Sequence, residues 1–423
     1  MSNLLKDLEQ LISIESVCNR TNSPDEPFGQ GCKRVLEEAL SICSRYGLRT
    51  KNCNNMIGYA EAGQGEELMG ILVHLDVVPA GEGWKTDPFA LHIENGRIYG
   101  RGVTDDKGPA VAVIHAVKEL IDEGRVFNRR VRIIFGLAEE SGSWDDMEYY
   151  RGTEEPVDFG FTPDADFPAI CGEKGMAKIT FTFEKAKTCF KSINGGTAVN
   201  MVPSQCYAEY YDNDSKLKSI CVKGKSAHGS TPEDGKNAIS LLMKSIAVND
   251  CCLTGFFRDC IDMEYNGRKL GGYACDVESG EITYNFGLVR DAGSNIVLTT
   301  DVRYPVSYRI EDILMGICDK LQEKGYGDVD VELISDVPCI FMDAEGPVIT
   351  KLLDAYRQHT GDMSRPSVIG GGTYARAMKN VVAFGPMLPG RELTEHQANE
   401  NMLMSDFLLA KDIYKTAIRT LAT

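Results

Sequence analysis

The sequence predicts an α/β chain in which a mixed-sheet domain is interrupted by an inserted α+β domain, and three observations carry that expectation. At 423 residues the chain exceeds one ordinary hydrophobic core, which argues for two domains. Over residues 1–175 and again over 344–423, near-continuous apolar runs alternate with helix-spaced ones, as in a buried sheet flanked by helices. Over 176–343 the strands alternate with period two instead, as half-exposed antiparallel strands do.

Each element follows in order. Leu4, Leu5, Leu8, Leu11 and Ile12 recur at helix spacing, and so does the stretch from Val35 to Tyr46. Residues 55–61 read as a short strand, 69–79 as a buried strand, and Glu94-Asn95-Gly96 as the turn of a hairpin. A Gly-rich loop over 100–109 carries Asp105 and Asp106, then leads through Gly108-Pro109 into a helix over 110–120, where proline suits the first turn. Two more strands are expected over 130–140 and 159–164. In the insertion, strands are expected near 177–184, 205–211, 219–224, 281–290 and 295–304, with helices near 236–248 and 309–324. Asn200-Met-Val with Tyr210, and Asn295-Ile-Val with Tyr304, form an internal echo that would fit a duplicated module. A helix over 348–358, the Gly370-Gly371-Gly372-Thr373 loop, a strand at 381–385 and a last amphipathic helix complete the interrupted domain.

Composition excludes several classes. A formal net charge of −17 argues against a nucleic-acid surface, because phosphate binding draws on clustered Lys and Arg. No run approaches the roughly 20 apolar residues that span a bilayer, so no membrane partner is expected. The first residues read as an amphipathic helix rather than a signal peptide. The 14 cysteines include no Cys-x-x-Cys pair and read as mostly buried free thiols in a reducing cytoplasm. The Gly-rich loop matches no phosphate-cradle spacing, and its two acids would repel a phosphate.

The apolar runs end in reactive side chains. Residues 69–79 close on His74 and Asp76, two apart and so on one face of a strand. Burying that pair costs free energy unless something compensates it. A metal would do so, and a hydrogen-bonded core histidine is the alternative. Residues 130–140 close on Glu139 and Glu140, which as strand neighbours would point oppositely, so one could face a metal and the other a water. A polar strand terminus is the plain alternative there, and a solvated turn or helix cap the one for Asp105-Asp106. Residues 159–166 repeat the pattern with Asp164. Four solvated strand ends on one side of a single sheet would be a poor account of them jointly.

Together, Val73-His74-Leu75-Asp76, the Gly100 to Pro109 loop, Ala138-Glu139-Glu140-Ser141-Gly142, Thr162-Pro163-Asp164-Ala165 and His396-Gln397-Ala398-Asn399-Glu400 resemble, in order, the motifs of the cocatalytic zinc metallopeptidases that include aminoacylases, glutamate carboxypeptidases and carnosinases. Within them the chain is most similar to the bacterial dipeptidases of the PepV type. The resemblance implies a zinc-peptidase-like catalytic domain (1–175 and 344–423) and an inserted lid domain (176–343). It implies that His74, Asp105 and Asp164 hold one metal and Asp105, Glu140 and His396 the other. Glu139 would be the general acid/base, Asp76 would clamp the His74 ring or tune Glu139, and the Asp105–Asp106 peptide bond would be cis. Four metal charges against three carboxylates would leave net positive charge for a bridging hydroxide. Zinc suits the donors best, with manganese or cobalt compatible.

In the insertion, His228 resembles the lid histidine that stabilises an oxyanion, Asn200 its hydrogen-bonding partner, and Arg303 the arginine that grips a substrate carboxylate. Gly371, Gly372 and Thr373 would add donors near that carboxylate. In simpler relatives an insertion about half as long forms a dimer, so this longer one implies a monomer. The function so implied is hydrolysis of small unblocked dipeptides in the cytoplasm. An N-acyl amino-acid deacylase or desuccinylase is the alternative within the family, and a non-catalytic metal-stabilised binding protein the alternative outside it.

Overall fold

The computed structural model describes residues 2–248 and 251–423; Met1, Asn249 and Asp250 lie outside them. The chain divides into two compact units, one of Met1–Cys171, Met342–Ser367 and Gly372–Thr423, the other of Gly172–Phe341 and Val368–Gly371.

The sheet of the first unit runs in the order Arg49–Cys53, Ile57–Ala62, Arg130–Gly136, Leu68–His74, Phe159–Thr162, Val381–Ala383. The last four of these strands are parallel neighbours, and the first two pair antiparallel. Every residue of Leu68–His74 is buried, which is why it reads as an unbroken apolar run rather than an alternating one. Lys107–Asp122, rich in Ala and Val, is buried almost all round; it packs on Met404–Ala422, which in turn packs on Pro347–Thr360. Ser2 caps the first helix, Asn3–Ile12, by accepting the Leu5 N–H.

Three strands stop short of the expected ends. The ladders close at His74, Gly136 and Thr162, so Asp76, Glu139, Glu140 and Asp164 sit on the loops that follow. Their separation therefore does not come from strand alternation. The backbone there turns away from the ladder because carboxylates capture its N–H groups: Asp146 accepts from Leu137 and Ala138, and Asp76 accepts from Glu139 and Glu140.

The second unit is built on an antiparallel sheet in the order Leu217–Lys223, Gln205–Tyr211, Phe190–Gly195, Thr283–Ala292, Asn295–Tyr304, Gly175–Glu184, Asp330–Val337. Ala177, Ile179, Phe181 and Phe183 alternate onto one face, where they join Ile239 and Leu242 of helix Ala238–Ser245 and Ile313, Ile317 and Leu321 of helix Ile310–Glu323 in one core. Asn237 starts the former helix by accepting two backbone N–H groups. The internal echo has no structural counterpart: Asn200 lies in a loop ahead of its strand, whereas Asn295 opens one.

Candidate metal centre

In the first unit, three adjacent parallel strands point their carboxyl ends the same way. These ends carry His74, then Asp76 just beyond it, Glu139 and Glu140, and Asp164. Such ends are where open α/β sheets gather their chemistry. His74 is buried, and its Nδ1 lies 3.0 Å from the main-chain carbonyl of Asp76. Its Nε2 lies 2.8 Å from Asp105 Oδ1 and 3.8 Å from Asp164 Oδ2. His396, which is 53 % exposed, places Nε2 at 2.9 Å from Asp105 Oδ2 and 3.0 Å from Glu140 Oε1. The candidate ligand atoms of His74, Asp105 and Asp164 lie within 4.8 Å of one another, as do those of Asp105, Glu140 and His396. Asp105 is thus common to both groups, and its peptide bond to Asp106 is cis.

The electrostatics call for added positive charge. Among the described residues, the ion pairs of Asp105, Glu140 and Asp164 run to the two imidazoles and to nothing else. Burial pushes Glu139 and Asp164 well above the ordinary carboxylate range, and the charges of Asp164 and Asp105 respectively push them further. Burial and the Asp105 charge raise Glu140 as well. Burial also opposes ionisation of Asp105, yet hydrogen bonds from His396 and His74 hold it well below that range. Both rings resist charging through burial, and the carboxylates override it, lifting His74 well above its ordinary value and His396 to about 11. An Nδ1–H given to the Asp76 carbonyl leaves a neutral His74 ring aiming a lone pair at carboxylate oxygens. A bound cation between them would take the place of the ring's second proton and accept that lone pair. Imidazole nitrogens and carboxylate oxygens without sulfur fit zinc, manganese or cobalt.

Asp76 touches both groups the resemblance offered it, the His74 ring and the loop of Glu139. Its carbonyl, not its carboxylate, makes the closer approach to the His74 ring, the carboxylate standing 3.5 Å away. The carboxylate instead accepts the N–H groups of Glu139 at 3.2 Å and Glu140 at 3.0 Å, so it sets the loop that carries both glutamates.

Three supporting residues were not singled out from sequence. Glu400 is fully buried and takes N–H groups of Gly102, Thr104 and Asp105 while pairing with Arg101 at 2.7 Å, which fixes the loop that presents Asp105. Its place in the His396 to Glu400 motif was the available signal. Tyr374 stands edge-on to the His74 ring and donates its hydroxyl to Asp146. Room for it comes from Gly136, where a Cβ would come within 2.3 Å of the tyrosine ring. Asp146 reads in sequence as an ordinary first-turn helix acid, and Tyr374 lies in a short 3-10 turn without periodicity.

The second unit brings together Asn200, His228 and Arg303. Gly229, next to His228, donates its N–H to the Asn200 carbonyl at 2.7 Å, and Met201 bridges His228. His228 Nδ1 lies 2.6 Å from the Ser230 hydroxyl. Arg303 is only 6 % exposed, contrary to the usual fate of a lone strand arginine. Its Nε and Nη2 donate to Asp301 Oδ2 at 3.0 and 2.9 Å, and its Nη1 to the Gly370 carbonyl at 2.8 Å. Of a guanidinium's five N–H donors, one on Nη1 and one on Nη2 remain. A Cβ on Gly229 would come within 2.7 Å of Asp301 Oδ2, so the histidine turn packs directly on the acid that holds Arg303. Gly371 belongs to this unit, whereas Gly372 and Thr373 belong to the first, where Thr373 caps the Tyr374–Ala377 turn.

Comparison with known proteins gives a consistent family. The chain is 35 % identical over 462 residues to a protein of Staphylococcus haemolyticus strain JCSC1435, covering 99 % of this chain and 97 % of that one. It is 33 % identical over 456 residues, at the same coverage, to the YtjP protein of Bacillus subtilis strain 168. Both are provisionally named dipeptidases. The structure of human carnosine dipeptidase 1 superimposes with a TM-score of 0.60 at 15 % identity, covering 98 % of this chain and 94 % of that one, a likeness of fold. The family model for Peptidase family M20/M25/M40 matches residues 70–420, most of the chain. With a mixed α/β fold, a cluster of candidate metal ligands and this match, the chain belongs to peptidase family M20/M25/M40 and is a metal-dependent peptide-bond hydrolase.

Proposed function

We propose that this chain is a cytoplasmic, monomeric dipeptidase that cleaves small unblocked dipeptides with two divalent cations, its second unit serving as the lid. The observation that carries the reading is Asp105, whose two carboxylate oxygens each face a different imidazole, with Asp164 and Glu140 completing two overlapping ligand groups. The dipeptidase names of its relatives support the choice of substrate.

His74, Asp105 and Asp164 would hold one cation and Asp105, Glu140 and His396 the other. When bound, the cations supply Lewis acidity, polarising the scissile carbonyl and acidifying a water molecule. Glu139 receives the proton that this water gives up and returns it to the leaving amine nitrogen, a task suited to a carboxyl whose burial lifts its proton affinity well above the ordinary carboxylate range. Asp76 keeps that carboxyl in place by holding the Glu139 and Glu140 backbone. His228 stabilises negative charge on the carbonyl oxygen, with Asn200 beside it. The two remaining N–H groups of Arg303 receive the substrate's terminal carboxylate, supported by donors from Gly371, Gly372 and Thr373.

The test is hydrolysis of Ala-Ala by metal-stripped protein refilled with zinc or manganese. Restored turnover on refilling is expected. Faster turnover of acetyl-Ala than of Ala-Ala would replace this reading with that of an N-acyl amino-acid deacylase. A sedimentation mass of two chains would remove the monomer.

A further inference from the structure

The second unit contains a cleft of about 570 Å³ whose walls include neighbours of both groups assigned to substrate. Ser230 lines it, and its hydroxyl lies 2.6 Å from His228 Nδ1. Gly370 lines it, and its carbonyl accepts from Arg303 Nη1. Thr283 lines it, and it is the register partner of Arg303 on the adjacent strand, so the two side chains emerge on the same face. A residue whose α-carboxylate rests on the two remaining Arg303 donors therefore has its own side chain, one bond further on, within reach of this cleft.

The charge of the lining distinguishes among side chains. Three carboxylates, Glu233, Glu264 and Glu281, face one ammonium, Lys174. Glu281 is answered from outside the lining by Arg268 at 2.8 Å, and Lys174 Nζ already donates to the Glu281 carbonyl at 2.6 Å. Glu264 Oε2 accepts the Lys269 N–H. Glu233 makes no hydrogen bond or ion pair among the described residues. Its charge acts on the half-buried Tyr265 phenol and on Lys174, which also line the cleft, so that Lys174 and Arg268 together stand against three carboxylates and leave one in excess. An excess carboxylate suits an ammonium or guanidinium and disfavours an acidic side chain.

We propose that this cleft receives the side chain of the dipeptide's C-terminal residue and that Glu233 selects a cationic one, lysine or arginine. The proposal rests on the dipeptidase reading and on Arg303 holding the terminal carboxylate. It goes beyond them in naming the substrate class.

The experiment compares kcat/KM for Ala-Lys, Ala-Leu and Ala-Glu, with Ala-Ala as reference, in the metal-loaded wild type, Glu233→Gln and Glu233→Lys. The wild type should favour Ala-Lys over Ala-Leu by about fivefold, as befits a partly solvated ion pair. That ratio should fall to near one in Glu233→Gln, and Ala-Glu should overtake Ala-Lys in Glu233→Lys. Because Glu233 is exposed, neither substitution disturbs a core. A wild-type ratio at or below one, or a ratio unchanged in Glu233→Gln, overturns the cleft assignment while Ala-Ala turnover leaves the dipeptidase reading intact. If no dipeptide is cleaved but acetyl-Ala is, the dipeptidase reading fails and the cleft assignment with it.

Discussion

The two sites handle charge in opposite ways. In the first unit, Asp105, Glu140, Asp164 and Glu139 are crowded together with two imidazoles as their only ion-pair partners among the described residues, and every acid but Asp105 is pushed up in pKa. In the second, Arg303 is buried but already neutralised by Asp301, with Gly370 taking a third donor. The first arrangement is frustrated without added cations, whereas the second is satisfied and presents a fixed donor pair. A site meant to hold ions leaves its charge open, and a site meant to grip a substrate carboxylate settles its own charge first.

The largest expected effect lies in the open-charge site. Asp105→Asn removes the carboxylate shared by both ligand groups, so elemental analysis should find metal content reduced to well below two ions per chain and no measurable turnover. Full occupancy in that variant would mean that the two groups do not share a ligand. Glu139→Gln separates chemistry from binding: metal content should be unchanged while kcat falls by about a thousandfold, within the usual range for loss of a general acid/base. Retention of even a tenth of wild-type kcat would remove Glu139 from the proton-transfer role.

Smaller effects are expected in the settled site, and they should appear in KM. Arg303→Lys replaces a fork with a point charge and strands Asp301's second hydrogen bond, so KM for Ala-Ala should rise by about tenfold to a hundredfold with a lesser change in kcat. The amide of Ala-Ala, which lacks the carboxylate, should be insensitive to the substitution. Asp301→Asn distinguishes two roles by sign. If Asp301 mainly orients the guanidinium, KM rises by about fivefold; if it mainly neutralises it, the freed positive charge lowers KM. We expect the rise, because the remaining N–H pair is useful only at a fixed angle.

The difference between the sites also explains what could be read from sequence. His74, Asp105, Glu140 and Asp164 stood out because each lies in or just after a strongly apolar or glycine-marked run, where His and acids are costly unless paired, whereas His396 and the sorting of all five into two ligand groups came from the family resemblance. The strand lengths were not. Asp76 and Asp146 draw the backbone out of the ladder by accepting N–H groups, and such captures leave no hydrophobic period. The partners of Arg303 were equally hidden. Asp301 looks like an outward polar position on an alternating strand, and Gly229 like a turn residue, until packing puts the acid's oxygen where a Cβ would be. Tertiary contacts made by loops have no periodic signature.

A third histidine tests the charge comparison at its weakest point. His115 Nε2 lies 2.8 Å from Asp7 Oδ2, much as His74 faces Asp105, yet its pKa is lowered, because burial outweighs the pull of Asp7. The difference lies in what else the acid serves. Asp7 also accepts from Arg45 at 2.7 Å and from the Tyr46 hydroxyl at 2.5 Å, so little of its charge is left for the ring. Asp105 is divided only between two imidazoles, and Asp164 adds its charge beside His74. A folded pKa below the unfolded value of about 6.5 means that the unfolded chain takes up the proton first. The stability contributed by neutral His115 is therefore full above that value and is lost as pH falls through it toward the lowered folded value. Between pH 7.5 and 5.5, Tm of the wild type should fall by about 1–2 °C more than that of His115→Gln, whose side chain cannot charge. A smaller fall in the wild type than in His115→Gln would show that Asp7 raises the ring's pKa on folding as the metal-site acids raise theirs, and an equal fall would show no net shift; either result would remove His115 as the contrasting case.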